Sequence, residues 1–319
     1  MFLAPEVSTI NALVEDGPSD RVHIFSGIRG NRHGSRRRGF DRVKAMGARA
    51  GIMAEPGEFR PPRGLFRLAV HYAAHQQVQS HIDFALAIGC NGPRWFRWCG
   101  YSASKIFPFA YLIDANQAET VEIVGRAPGC VNLIFIGRMD FKKAADIMFA
   151  ALARLVEYEW TLSMVGNGPV KGDLISMANK LNISKRINWH GVVPNAMIQG
   201  LLCSHDILIL PSRWDGWGAV VNEALMQGAA VICSDHCGAS VLLEDPWRGA
   251  VFRAGDPDDL AHVLQAWVAH GSLSSQERAR ISAWSQCVQG EAGADYFLSI
   301  MGHVYAGGPR PNPPWMADQ

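Results

Sequence analysis

Residues 131–166 read VNLIFIGRMDFKKAADIMFAALARLVEYEWTLSMVG, and their pattern decides the fold. VNLIFIG (131–137) is a short apolar, β-rich run closed by glycine. KKAADIMFAALARLVEY (142–158) then spaces its apolar residues as a helix does, and WTLSMVG (160–166) returns to an apolar run ending on glycine. Working outward, the same unit repeats. A helix is expected over KGDLISMANKLNI (171–183), a strand at RINWHG (186–191), and a helix opened by Pro194. DILILPS (206–212) and AVICSD (230–235) read as strands flanking a helix in GAVVNEALMQG (218–228), which ends on Gly228. GAVF (249–252) and the helix PDDLAHVLQAWVAH (257–270) close the series. Strands that are apolar throughout and alternate with helices imply a parallel sheet covered on both faces, a doubly wound α/β domain.

Upstream the alternation is weaker. RVHIFSG (21–27), AGIMAE (50–55), DFALAIG (83–89) and KIFPFAY (105–111) read as strands, with helices in RRRGFDRVKAMGA (36–48) and RGLFRLAVHYAAHQQVQSH (63–81). The expected organisation is a shortened Rossmann-like domain over 1–120 and a ligand-binding Rossmann-like domain over 121–283. A C-terminal helix over 284–306 joins the first domain, and a flexible proline-rich tail covers 307–319.

With 319 residues, 48% hydrophobic and 18% charged, the chain has the composition of an ordinary globular protein. A net charge of +1 gives no reason to expect nucleic acid as a partner. The seven cysteines are scattered without metal or redox spacing, and are expected as reduced, buried thiols of a reducing compartment. The N-terminus lacks the basic flank and long apolar core of a signal peptide, and no apolar run is long enough to span a membrane. A cytoplasmic location follows as the expectation, with peripheral attachment to the inner membrane face as its variant.

Three turns could carry chemistry. Gly137-Arg-Met-Asp-Phe-Lys-Lys143 follows a strand and places three cations before a helix, where they oppose the helix dipole; a bound diphosphate would account for them. Lys142 reads as solvated. Val165-Gly-Asn-Gly-Pro169 closes the next strand with Gly166 and Gly168. In Pro211-Ser-Arg-Trp-Asp-Gly-Trp-Gly218, a glycine-rich turn with Asp215, Gly216, Trp217 and Gly218 is expected to open a helix near Trp217, and Glu223 lies eight positions beyond Asp215. Free N–H groups at such a turn suit a phosphate or sugar hydroxyl. A plainer reading makes Asp215 a helix cap and Glu223 an ordinary face residue. Together the turns suit a ligand with a diphosphate and several hydroxyls, as nucleotide-sugars have.

GRMDFKK (137–143), VGNGP (165–169), RINWHGVVP (186–194) and PSRWDGWGAVVNEALMQGAAVICSD (211–235) resemble, in order and spacing, the C-terminal domain of glycosyltransferase family 4. The resemblance implies a GT-B fold, two Rossmann-like domains with a cleft between them. It implies a retaining hexosyltransferase that needs neither metal nor cofactor, the nucleotide-sugar being the donor. By the same resemblance Arg138 and Lys143 grip the diphosphate, Glu223 holds the ribose, and Asp215, a shorter aspartate in place of the family's first glutamate, meets the donor sugar. The main chain at Gly191 and Val192 would face the nucleobase, and Gly137, Gly166, Gly168, Gly216, Trp217 and Gly218 complete the donor set. RVHIFSGI (21–28) resembles the strand that delivers a histidine to the cleft, with His23 or the loop Ser26–Arg29 as that element. The acceptor is expected to be a hydroxyl compound, with a lipid-linked one in view, and the pathway cell-envelope or exopolysaccharide synthesis.

Two features depart from the family. If His23 or the loop Ser26–Arg29 is that element, the usual opening βαβ units are absent, and the expectation is a compact or a truncated variant; Phe109-Ala110 also stands where relatives show Asn-Gly. A non-catalytic nucleotide-sugar-binding protein is therefore one alternative. An epimerase is another, although Glu55 is almost alone as an acid/base candidate in the first half. The arginines of Arg29–Arg38 read as a solvated loop or as a patch for anionic headgroups beside Trp95-Phe96-Arg97-Trp98. Asp256 reads as a helix cap rather than a metal ligand, and His190 as a strand-end packing residue.

Overall fold

The computed structural model describes residues 21–27, 35–59, 63–114 and 129–316. It forms two compact units. One is built from residues up to 110 together with Phe297–Pro313, the other from Tyr111–Tyr296 together with residues 314 onward.

The first unit is a parallel sheet of β1 (Val22–Phe25), β2 (Arg49–Ala54), β3 (Phe84–Ile88) and β4 (Ile106–Phe109), in the spatial order β1-β2-β3-β4. Helices α1 (Ser35–Ala45), α2 (Arg63–Gln76) and α3 (Gly92–Trp98) connect them. All five residues of β3 are buried, as a central parallel strand requires, whereas edge strand β1 is half-exposed. Trp95 and Phe96 are 3% and 1% exposed, so this aromatic run packs the core instead of reaching outward. Beside it the buried His75 shares a 3.0 Å hydrogen bond between Nδ1 and the Tyr101 hydroxyl, and burial lowers its pKa to about 4. Of the basic stretch, residues 28–34 lie outside the described residues. Arg36 donates to the Ser26 carbonyl at 2.7 Å and Arg37 pairs with Asp41 at 3.1 Å.

The second unit is a six-stranded parallel sheet: β5 (Val131–Ile136), β6 (Trp160–Val165), β7 (Ile187–Gly191), β8 (Ile207–Leu210), β9 (Ala230–Ser234) and β10 (Gly249–Phe252). Its spatial order is β10-β9-β8-β5-β6-β7, so the winding reverses between β5 and β8. β8 and β9 are wholly buried, while edge strand β7 alternates, with Ile187 inward and Asn188 and His190 exposed. Helices α4 (Ala145–Leu152), α5 (Lys171–Lys180), α6 (Asn195–Ser204) and α7 (Val220–Met226) lie between its strands; α8 (Pro257–His270) and α9 (Ser275–Trp284) follow β10, and α10 (Gly290–Ala306) runs from this unit into the first. Asp256 does cap α8, accepting from the N–H groups of Asp258 and Asp259.

Several expectations need correction. The helix expected over 142–158 shrinks to Ala145–Leu152, because Ala144 takes a left-handed φ of 55° and the cations before it belong to a loop. The helix after the Asp215 turn starts at Val220, not near Trp217. The helix expected from 284 begins at Gly290, and 284 instead ends α9, which a Ser274–Glu277 capping box opens. Within residues 307–316, expected as a flexible tail, two points are held: Arg310 donates to the carbonyls of Ser104 and Ile106, and Trp315 is 3% exposed. All seven cysteines are free thiols, but Cys203 is exposed and Cys90 half-buried. His190 is exposed and shares a 3.1 Å hydrogen bond with Ser163 Oγ.

Candidate donor site at the strand ends

In an open α/β sheet the crevice outside the carboxyl ends of the strands opens where the winding reverses. Here that place lies between β5 and β8, whose following segments are 137–143 and 211–218. Lys143 and Asp215, 72 residues apart in sequence, meet there: Lys143 Nζ donates to Asp215 Oδ2 at 2.5 Å. Both side chains are largely withdrawn from water, 27% and 15% exposed. Asp215 therefore does not cap α7, whose N-cap is Ala219 with no side-chain bond.

The loop that presents Lys143 is shaped locally. The Asp140 carboxylate accepts the N–H groups of Lys142 and Lys143 at 3.0 and 3.1 Å, closing an Asx turn. Ala144 then takes its left-handed conformation, which costs a non-glycine residue roughly 1–2 kcal/mol. Arg213 fastens this loop to the other side of the crevice. Its N–H donates to the Lys142 carbonyl at 2.7 Å, and its guanidinium forks onto Asp146 at 2.9 and 2.5 Å while donating to the Phe141 carbonyl at 2.9 Å. Neither Arg213 nor Asp140 was singled out by the sequence reading. The Asx turn could have been found from Asp140 two and three positions before Lys142 and Lys143; the Arg213–Asp146 fork depends on β8 lying beside β5.

The neighbouring turns zip to these. Gly137 and Met139 donate to the carbonyls of Val165 and Asn167, and Gly166 donates to the Gly191 carbonyl at 2.7 Å. A Cβ on Gly166 would collide with the Gly137 carbonyl, and one on Gly168 with that of Met139, so the glycine turn exists for close chain approach. On the far side, Asp215 N–H donates to the His236 carbonyl and the Asp215 carbonyl accepts the Gly238 N–H, joining this turn to the one after β9, where Gly238 lies against the Gly216 carbonyl. Gly218, at φ +94°, packs between Cys237 and Leu210. Four adjacent strand ends, β9-β8-β5-β6, thus carry one continuous rim.

Other expected residues are placed differently. Trp217 is 1% exposed; its indole N–H donates to Asn222 Oδ1 at 2.8 Å and its carbonyl accepts from Ala239, so the side chain is structural. Arg138 is 72% exposed and only loosely paired with Asp140 at 3.6 Å. Glu223 lies apart from the cations, in a cavity of about 360 Å³ lined also by Asp114, Asn195, Gln199 and Gln227. Burial raises the pKa of its carboxyl, and among the described residues no donor engages it. Val192 is 77% exposed beyond β7. His23 sits half-buried on β1 of the first unit, where burial and then the charge of Arg21 lower its pKa. No helix of the described residues is long and apolar enough to cross a membrane.

An uncharacterized 41.2 kDa protein in the cps region of Klebsiella pneumoniae is 23% identical over 150 residues, 47% of this chain and 40% of that one. The D-inositol 3-phosphate glycosyltransferase of Mycobacterium sp. (strain JLS) is 25% identical over 170 residues, 51% of this chain and 38% of its own length. The chain thus spans less than half the length of these curated relatives. Among solved structures, the apo form of the lipopolysaccharide outer core galactosyltransferase WaaB matches with a TM-score of 0.70 at 19% identity, covering 95% of this chain and 79% of that one. Anabaena Alr3699/HepE in complex with UDP gives 0.63 at 16% identity, covering 83% and 75%. At these identities the likeness is one of fold, the two parallel-sheet α/β domains of GT-B proteins. Residues 117–283, more than half the chain, match the model of one family, and by that match the protein belongs to the glycosyl transferases group 1 family.

Proposed function

We propose that the protein transfers a glycosyl group from a nucleoside-diphosphate sugar to a hydroxyl acceptor. The observation that carries this reading is the Lys143–Asp215 pair across the β5/β8 reversal, with exposed Arg138 on the same loop. The pair keeps two opposite charges poised in a partly desolvated place. An incoming diphosphate competes with Asp215 for Lys143 Nζ, and the carboxylate so released is free to accept hydroxyls of the donor sugar. Arg138 folds onto the same phosphates from solvent. These cations, rather than a metal, meet the charge that grows on the leaving diphosphate, where fixed electrostatics contribute most to rate. Glu223, a carboxylate without a donor in a polar cavity, suits the ribose hydroxyls. The exposed apolar Val192 and the turn at Gly191 suit the face of a base.

In this reading the anomeric configuration is retained, the acceptor is a precursor in cell-envelope or exopolysaccharide synthesis, and His23 serves the reacting sugar. The UDP complex of Alr3699/HepE and the name of the WaaB galactosyltransferase support a nucleotide-sugar donor. A lipid-linked acceptor held through Arg29–Arg38 extends the proposal; vesicles with anionic lipid would bind the chain more than neutral ones. The test of the main reading is release of nucleoside diphosphate from UDP-, GDP- and ADP-sugars, with and without EDTA. Release from one base class, insensitive to EDTA and lost in Lys143→Ala, is expected. No release from any donor despite tight nucleotide binding would favour the non-catalytic alternative, and an epimerised sugar without acceptor would favour the epimerase.

A further inference from the structure

Away from the strand-end turns, the second unit has another pocket, of about 410 Å³. Its walls are Trp247 from the turn before β10, Trp267 and His270 from α8, and Glu277 and Arg280 from α9. None of these residues belongs to the Glu223 cavity or to the Lys143–Asp215 rim.

The pocket is built in two layers. Beneath it Arg248, 1% exposed, lies 3.9 Å from the Trp284 ring and 5.2 Å from Trp247. Above, Arg280 lies 4.0 Å over the same Trp247 ring. Trp247 thus stands between two guanidinium groups, with Arg280 in cation–π range at the pocket wall. Arg280 makes no hydrogen bond or ion pair among the described residues, so its fork of N–H donors is unspent. Glu277 is committed differently: it accepts from Ser274 as the capping box of α9 and from His270 Nε2 at 2.8 Å. The half-buried Trp267 has neither ring partner nor hydrogen bond among the described residues.

A concave site thus offers an open indole face, an indole N–H, an unspent guanidinium fork and a His–Glu pair at its rim. A pyranose ring complements that set. Its C–H face lies on an indole while its ring hydroxyls take hydrogen bonds in the plane, and the volume is within the range of small-ligand pockets, about 300–1,000 Å³. We propose that the Trp247–Trp267 pocket binds a pyranose residue of a glycan chain, independently of the nucleotide-sugar. The inference concerns a separate site and stands whether or not the donor reading does.

Neutral and uronate glycans share the pyranose ring, so the probes are maltotriose, cellotriose and trigalacturonate, titrated into the full chain without nucleotide by calorimetry and ligand-observed NMR. At least one should bind with a Kd of about 1 mM or tighter. Trp267→Ala should weaken it roughly tenfold or more, while nucleotide binding is unchanged. Arg280→Ala should weaken trigalacturonate more than the neutral probes, if the uronate is the better ligand. The exposure of Arg280 and half-burial of Trp267 make both substitutions compatible with folding, checked by near-UV circular dichroism. Failure of all three probes to bind the wild type, or binding undiminished in folded Trp267→Ala, overturns the proposal. A change of sedimenting mass in Trp267→Ala with glycan binding intact would overturn it in favour of self-association.

Discussion

The two units are built to one plan and differ in winding. In both, parallel apolar strands are sandwiched by helices. In the first, spatial order follows chain order from β1 to β4; in the second it reverses between β5 and β8. The reversal brings together two segments far apart in sequence, and there the second unit holds Lys143 against Asp215 and Arg213 against Asp146. The first unit instead spends its polar chemistry inside, where His75 stands among Phe96 and Tyr101. Sheet composition is much the same in the two; what differs is whether strand order creates a place for charges to meet.

Glycines in the two units make the sharpest contrast. Gly166 (φ +123°) and Gly47 (φ +65°) both have left-handed backbones, but only Gly166 is pressed against another turn; Gly47 has open space around it. Gly166→Ala should cost about 4 kcal/mol and Gly47→Ala about 1 kcal/mol in urea unfolding. Equal costs would break the claim that the rim is close-packed.

Acid should act on the first unit through His75. Its folded pKa of about 4 lies below the ordinary 6.5, so the unfolded chain takes up the proton first. Its contribution is complete above pH 6.5 and is lost as pH falls toward 4, about 3 kcal/mol in all. Hydrogen exchange of the Phe84–Ile88 amides should show this loss in the wild type and a flatter profile in His75→Phe.

At the rim, Asp215→Asn separates the two duties of the pair. It frees Lys143, so nucleoside diphosphate should bind as well or better, while sugar release slows roughly 100-fold, about 2.7 kcal/mol. Parallel losses in both would contradict the exchange of partners. A double-mutant cycle between Arg213→Ala and Asp146→Ala should give a coupling of about 1–2 kcal/mol in donor KM. The smallest effect on stability is expected at Glu223. Because burial raises its pKa, the charged form costs stability at neutral pH. Glu223→Gln should raise Tm slightly at pH 7, a gain that disappears in acid where the glutamate is protonated in both states.

The layers of this fold were legible because central parallel strands are unbroken apolar runs, such as ILIL at Ile207–Leu210, closed by Gly or Pro. The candidate site's residue types, Lys143, Asp215 and Glu223, stand out in the sequence through the turns that carry them and the family resemblance. Their pairing does not, since nothing in local sequence says that β8 lies beside β5. The α9 helix escaped for another reason: SQERARISAW lacks a clear apolar stripe, and its signal was the Ser274–Glu277 box. The burial of Trp217 was not legible, since its place between two glycines does not show that its indole is bonded to Asn222 in the interior.

In the proposed function the rim at the β5/β8 reversal, with Glu223, receives a nucleotide-sugar. Calorimetric titration of UDP, GDP and their sugars into the full chain, wild type beside Lys143→Ala and Glu223→Gln, tests it most directly. Selective binding of one base class by the wild type is expected, weakened roughly tenfold or more in each variant. A folded wild type that binds no nucleotide, or variants that bind as the wild type does, would contradict it.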